Sequence, residues 1–162
     1  MKVKELRRKI AGKKAQNVGK HFEFLFERAC AGRSICCVEI PAGCITKGFN
    51  PQTKRPNLVR VKSPFDYIVH HNQTIAFVDT KTVDGKTFSY SMQTDHQIDA
   101  LHKLSFCTHA GLVIWFRELD IVQFFPVSQV LKLEAGQSLG PEKNPGIHLG
   151  HSYNFDVRKI FL

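Results

Sequence analysis

No stretch of the 162 residues approaches the roughly 20 consecutive apolar residues a membrane-crossing helix needs, and the basic N-terminus lacks the apolar segment of a secretory signal. A cytoplasmic protein with no membrane attachment is therefore expected. Paired cysteine motifs are missing as well. Cys30, Cys36, Cys37, Cys44 and Cys107 are odd in number and show no CxxC spacing, which argues against a zinc ribbon or finger. They are expected to be small, buried free thiols, with no disulfide. Nothing in the length requires more than one core.

Acid is scarce in one part of the chain. Residues 1–62 hold 15 Lys and Arg against 4 Asp and Glu, a balance of +11, whereas residues 63–162 hold 8 against 10. The overall charge of +9 thus belongs to the first part, and a polyanion is the expected partner, because neutralising phosphates releases condensed counterions. Residues 1–16 are basic and poor in apolar side chains, which predicts a flexible arm carrying Arg7, Arg8, Lys9, Lys13 and Lys14, either gripping DNA or merely solubilising. Residues 17–162 are read as a single domain.

From Asn17 the pattern changes. Val18, Phe22, Leu25, Phe26 and Ala29 recur at helical spacing, with Asn17 as a cap, Gly32 as a stop, and Glu23 at the border of the buried stripe. Ser34–Ile40 reads as a strand. Residues 46–62 contain five Lys and Arg (Lys47, Lys54, Arg55, Arg60 and Lys62), two Pro and no acid, and are expected to form a long polar loop. Phe65–His70 and Thr74–Thr82 read as strands around an Asn72–Gln73 turn. A second helix is expected over Thr94–His109, with Thr94 and Gln97 as a capping box, a partial stripe of Ile98, Leu101, His102 and Phe106, and Gly111 beyond its end. Leu112–Phe116 and Ile121–Phe125 suit a strand pair, Val127–Leu133 a short helix, and Tyr153–Leu162 a closing strand or helix. This order of elements implies an α+β fold, a mixed central β-sheet flanked by helices.

The segment TIAFVDTK is apolar on both faces through Val78 and then places Asp79 and Lys81 on one face. A buried charge is costly unless it is paired or binds a metal. If Asn72–Gln73 is a two-residue hairpin loop, residues whose numbers sum to 145 face each other, which sets Asp66 opposite Asp79. Like charges so placed destabilise a sheet, and a bound cation removes the objection. The plainer alternative is an Asp66–Lys81 salt bridge with Asp79 facing solvent. The adjacent His70 and His71 point to opposite faces of a strand and do not make a joint metal site.

In this light the chain resembles the PD-(D/E)xK nucleases, and within them the RecU-type Holliday junction resolvases. The matching residues are Gly19–Lys20–His21–Phe22–Glu23, Asp66–Tyr67, Asp79–Thr80–Lys81 and His96–Gln97, in that order. Asp79 stands where Glu is more familiar. The resemblance implies a restriction-endonuclease-like fold and a junction-resolving endonuclease acting as a homodimer on branched DNA. It implies that Glu23, Asp66, Asp79 and the Thr80 carbonyl bind one or two Mg²⁺ or Mn²⁺ ions, and that Lys81 activates water. Gln97 is implied to position a phosphate or water, with helix capping as its alternative. Residues 46–62 are implied to form a protruding stalk, and Lys20 and the basic residues named above to contact DNA. A duplex-cutting or repair nuclease of the same superfamily, and a non-catalytic DNA-binding module, are the other readings.

Overall fold

A computed structural model describes residues 3–41, 43–53, 55–61, 63, 65–93, 95–104, 106 and 109–162. Helix α1 spans Val3–Ala31. It therefore starts well before Asn17, and residues 3–16 take helical backbone where the sequence predicts an arm without fixed structure. The reason lies in helix cooperativity. Leu, Arg, Lys, Ala and Gln are good helix formers, and extending a helix that is already nucleated by a docked segment avoids the cost of the first turn. The docked segment is the expected one, with Phe22, Leu25 and Phe26 buried and Val18 and Ala29 partly so. Ser34, at φ 56°, takes the left-handed position after the helix, and its N–H bonds the Ala31 carbonyl at 3.3 Å. Gly32 is not the residue that makes this turn.

Strand β1 (Cys36–Glu39) follows, then β2 (Gly43–Asn50) and β3 (Arg55–Val61), which pair antiparallel as a two-stranded sheet of their own. The polar loop expected at 46–62 is thus largely a β-ribbon. Ile45, Phe49, Leu58, Val59 and Val61 supply strand-forming residues that the charge of the segment obscured. Strands β4 (Tyr67–His71) and β5 (Thr74–Val83) form a hairpin whose partners run from His71↔Thr74 to Tyr67↔Val78. Asn72 and Gln73 have φ of 47° and 66°, the double left-handed turn that matches the twist of a hairpin.

A short strand, β6 (Phe88–Ser89), a 3₁₀ turn at Tyr90–Met92 and helix α2 (Asp95–Lys103) lead to β7 (Ala110–Phe116). Strand β7 lies parallel to β5, and a parallel pair requires a crossover of this kind. Helix α2 is shorter than the expected Thr94–His109. Its end comes early because Ala110 is already in the sheet, and His102 and Phe106 are exposed instead of forming a stripe with Leu101. Gly111 is not a helix stop. It lies inside β7, where a Cβ would meet the Phe125 carbonyl and come within 2.8 Å of the Phe124 ring.

Strand β8 (Ile121–Pro126) pairs antiparallel with β7, and helix α3 (Val127–Val130) follows directly. The C-terminal part adds β9 (Ser138–Leu139), which pairs with β6, then β10 (Ile147–His151), β11 (Asn154–Phe155) and a closing 3₁₀ helix at Val157–Phe161. The main sheet has the order β1-β4-β5-β7-β8-β10-β11 and is mixed, so the fold is α+β as expected.

Each face of the sheet has its own core. On one, α1 covers Tyr67, Val78, Val113, Trp115 and Phe124, and on the other, α2 and α3 cover Leu112, Ile114, Phe116 and Phe125. Phe26 is fully buried, with its ring 5.1 Å from Tyr67 and 6.3 Å from Phe155. Phe26→Ala is expected to lower unfolding free energy by about 3–5 kcal/mol in urea titrations, the range for emptying an aromatic site.

Cys30 is buried, but Cys36 is exposed and Cys37 only half-buried, so the expectation of buried thiols holds for the first alone. The alternation of β1, an edge strand, turns Cys36 outward. All three are free, and Cys44 and Cys107 lie outside the side chains described. Among the described residues no helix is long and apolar enough to cross a membrane.

Candidate active site

Strand β4 ends where β5 has five more residues to run, so among the described residues no strand pairs with one edge of β5 from Asp79 to Val83, while the other edge pairs with β7. At that point the chain bends at Asp66. The Asp66 N–H donates to the Val78 carbonyl at 3.1 Å, and its carbonyl accepts from the Ile40 N–H at 2.7 Å. The Asp66 carboxylate then turns onto the open edge. Its Oδ2 accepts from the Thr80 N–H at 2.7 Å and from the Thr80 hydroxyl at 2.8 Å. A backbone donor that the sheet leaves unpaired is thereby satisfied, while Oδ1 takes part in neither bond.

Asp79 is buried, with 7% of its side chain exposed, and its Oδ2 lies 2.6 Å from the Lys81 ammonium. The alternative of an Asp66–Lys81 bridge with Asp79 in solvent is thus corrected. Period-two geometry puts residues 79 and 81 on one face of β5, within reach of each other. Burial pushes the Asp79 carboxyl up to about 6; Lys81 opposes this, and the charges of Asp66 and Glu23 add to it.

Glu23, at the border of the α1 stripe, is itself held above the usual carboxylate range, first by burial and then by the charges of Asp66 and Glu39, with Lys20 pulling the other way. Three of the expected site carboxylates therefore feel one another. Sequence reasoning missed the neighbours that extend this acidic surface. Glu27, one helical turn from Glu23, accepts from the Tyr67 hydroxyl at 2.9 Å. Burial and that bond raise the Tyr67 phenol above its ordinary value. The i, i+4 spacing of Glu23 and Glu27 was the available signal.

Among the described residues no group of three or more His, Cys, Asp or Glu side chains is arranged to hold a metal ion. Lys81 occupies Asp79 Oδ2, and Thr80 occupies Asp66 Oδ2. The donor set itself is suited to a hard divalent cation: mutually repelling carboxylates, one of them buried, lose that repulsion when a cation sits among them. Thr80, expected to act through its carbonyl, here contributes its N–H and hydroxyl to Asp66.

Gln97 and His96 lie in α2 by backbone, and their side chains fall outside those described. Of the basic residues, Lys13, Lys14 and Lys20 are exposed on α1. Arg7, Arg8 and Lys9 belong to α1, Lys47 to β2, and Arg55 and Arg60 to β3, by backbone alone. Lys54 and Lys62 lie outside the described residues.

No protein-family model matches the sequence, and no curated protein matches it. Among solved structures, the chain is similar to Hjc, a Holliday junction resolvase from the archaeal hyperthermophile Archaeoglobus fulgidus. The two are 14% identical, the match covers 76% of this chain and 89% of that one, and the TM-score is 0.49.

Proposed function

We propose that the chain is a metal-dependent endonuclease that hydrolyses phosphodiester bonds in branched DNA, resolving four-way junctions as a homodimer. The observation that supports a catalytic role is Asp79: a carboxylate buried within the longest strand of the main sheet, just past its last pair with β4, beside two others that repel it and a lysine. Such clusters of perturbed carboxylates are where active sites are found. Branched DNA as the substrate comes from the sequence resemblance, and the lopsided basic charge supports a DNA partner. The near two-fold symmetry of a junction calls for two sites in a symmetric dimer.

In this reading Asp66, Asp79, Glu23 and the Thr80 carbonyl hold Mg²⁺ or Mn²⁺, which supplies Lewis acidity toward the phosphate and lowers the pKa of the attacking water. Asp79 is the anchor, since β5 fixes its backbone on one side against β7. Asp66 is held by its bonds to Val78, Ile40 and Thr80 and presents Oδ1. With the site loaded, Lys81 would turn its ammonium from Asp79 to the attacking water, orienting it and stabilising it as hydroxide while the proton passes to solvent. Gln97 positions a phosphate oxygen from the first turn of α2.

A labelled four-way junction incubated with Mg²⁺ is expected to be nicked in opposing strands faster than a linear duplex of matching sequence. Equal cutting of the two would replace junction resolution with a duplex-cutting or repair activity. A second reading, a DNA-binding module, is favoured by the Asp79–Lys81 ion pair, which already neutralises the buried charge. Junction binding without cleavage in Mg²⁺ or Mn²⁺ would establish that reading instead.

A further inference from the structure

On the α1 face of the sheet lies a cavity of about 530 Å³ that the mechanism above does not use. Lys14, Asn17, His21, Trp115, Arg117 and Tyr153 line it, together with Val18, and none of these is acidic. Its walls are aromatic. The His21 ring centre is 6.4 Å from Trp115 and 6.3 Å from Tyr153, and the Arg117 guanidinium lies 5.8 Å from the centre of the Trp115 ring. Arg117 is also held by Asp84, in the neighbouring groove, so its position over the indole is fixed from both sides.

The Tyr153 side chain is 76% exposed, and the ring it meets, His21, is exposed as well. Trp115, by contrast, is buried, and its indole N–H donates to Asp120 at 3.2 Å. An exposed aromatic face beside Lys14 and Arg117 has the chemistry that takes a nucleotide outside a duplex: a ring to stack on and cations for its phosphate. A paired base has its faces covered by its neighbours and cannot use such a ring.

The cavity's place relative to the carboxylates is defined by the sheet. Trp115 pairs with Thr82, whose side chain shares the α1 face, whereas Asp79, an odd number of residues away along β5, shares the opposite face with its partner Leu112. We propose that this groove, across the sheet from Asp79, binds an unpaired DNA nucleotide, its base stacked on Tyr153 and its phosphate at Lys14. The inference rests on the reading of the chain as a DNA-acting protein. It goes beyond that reading by assigning recognition of unpaired nucleotides to a site separate from the carboxylates.

The test is equilibrium binding in EDTA, where no cleavage enters. Fluorescence anisotropy is measured for a blunt duplex and for the same duplex carrying an unpaired loop. The parent is expected to prefer the looped DNA. Tyr153→Ala should weaken binding to it by roughly tenfold, with the blunt duplex almost unaffected, and Tyr153→Phe should restore the preference. Because Tyr153 is exposed, an unchanged melting temperature is expected for both variants. A parent without preference, equal losses on both probes, no loss at all, or no DNA binding would each overturn the proposal. Failure of the nuclease reading is seen separately. A parent that shows the Tyr153-dependent preference yet never cuts DNA keeps the groove and loses the enzyme, and a parent that cuts with Tyr153-independent binding does the reverse.

Discussion

Asp79→Asn is expected to slow junction cleavage by at least roughly 10²–10³, as loss of a group that stabilises developing charge does, and at the same time to make the protein more stable near neutral pH. The second half follows from the direction of the pKa. An acid whose folded value lies near 6, above its usual 3.8, holds its proton more readily in the folded state than in the unfolded one. Between those values the folded protein binds more protons, so stability falls as pH rises from about 4 to about 6 and stays low above that. The neutral amide removes this loss. Two pKa units correspond to a ceiling of about 3 kcal/mol, and a gain of about 1–2 is expected at neutral pH, since the amide must still satisfy its own hydrogen bonds. The gain should vanish near pH 4. Junction cleavage rates and thermal melts at the two pH values check both halves. A variant that keeps parental cleavage would remove the mechanism, and one destabilised at neutral pH would show that the ion pair with Lys81 outweighs desolvation.

At Asp66 the expected signs differ. Asp66→Ala should lose cleavage to a similar extent but also lower stability, by about 1–3 kcal/mol, because the buried Thr80 N–H and hydroxyl lose their shared acceptor. Asp66→Asn keeps a carbonyl oxygen for Thr80 and should be as inactive as the alanine variant with most of the stability restored. Chemical denaturation of the two variants, run beside the junction assay, separates the structural from the catalytic contribution. If the asparagine variant cuts at the parental rate, Asp66 serves the fold alone. The pairing of the hairpin stops at Tyr67 and Val78, so the expected facing pair of Asp66 and Asp79 is not formed: Asp66 bends away to accept from Thr80, while Asp79 stays in β5, kept from water.

The centre of this site was legible because it depends on short-range rules. A two-residue turn fixes the register of its hairpin, and the run of apolar residues ending at Asp79 marks a strand covered on both faces. The β7–β8 pair was readable for the same reason. Elements whose existence depends on partners far along the chain were not. The ribbon of β2 and β3 is hidden by a basic composition that suits a loop equally well, and β10 enters the sheet beside β8 from a Gly- and Pro-rich region without strong alternation. The helical backbone of residues 3–16 follows from propagation beyond a docked segment, which a reading of local hydrophobicity does not register. Tyr67 shows the limit at the level of one residue: its aromatic ring predicts burial, but its bond to Glu27 joins positions 40 residues apart.

The Asn72–Gln73 turn has a consequence that reaches well beyond its own two residues. A side chain's face in a strand depends on counting, and this turn starts the count for both members of the pair. One residue added to it would shift the partners by one, and every side chain of β4 would then face the opposite neighbour or the opposite side. The distance between the turn and Asp66 gives no protection, because a register error is carried undiminished to the end of the strand. Substitutions at the turn are tolerated where the backbone allows them, but a change in its length is not. The most exposed point of the hairpin, where insertions would ordinarily be harmless, is therefore where the spacing of the carboxylates is set.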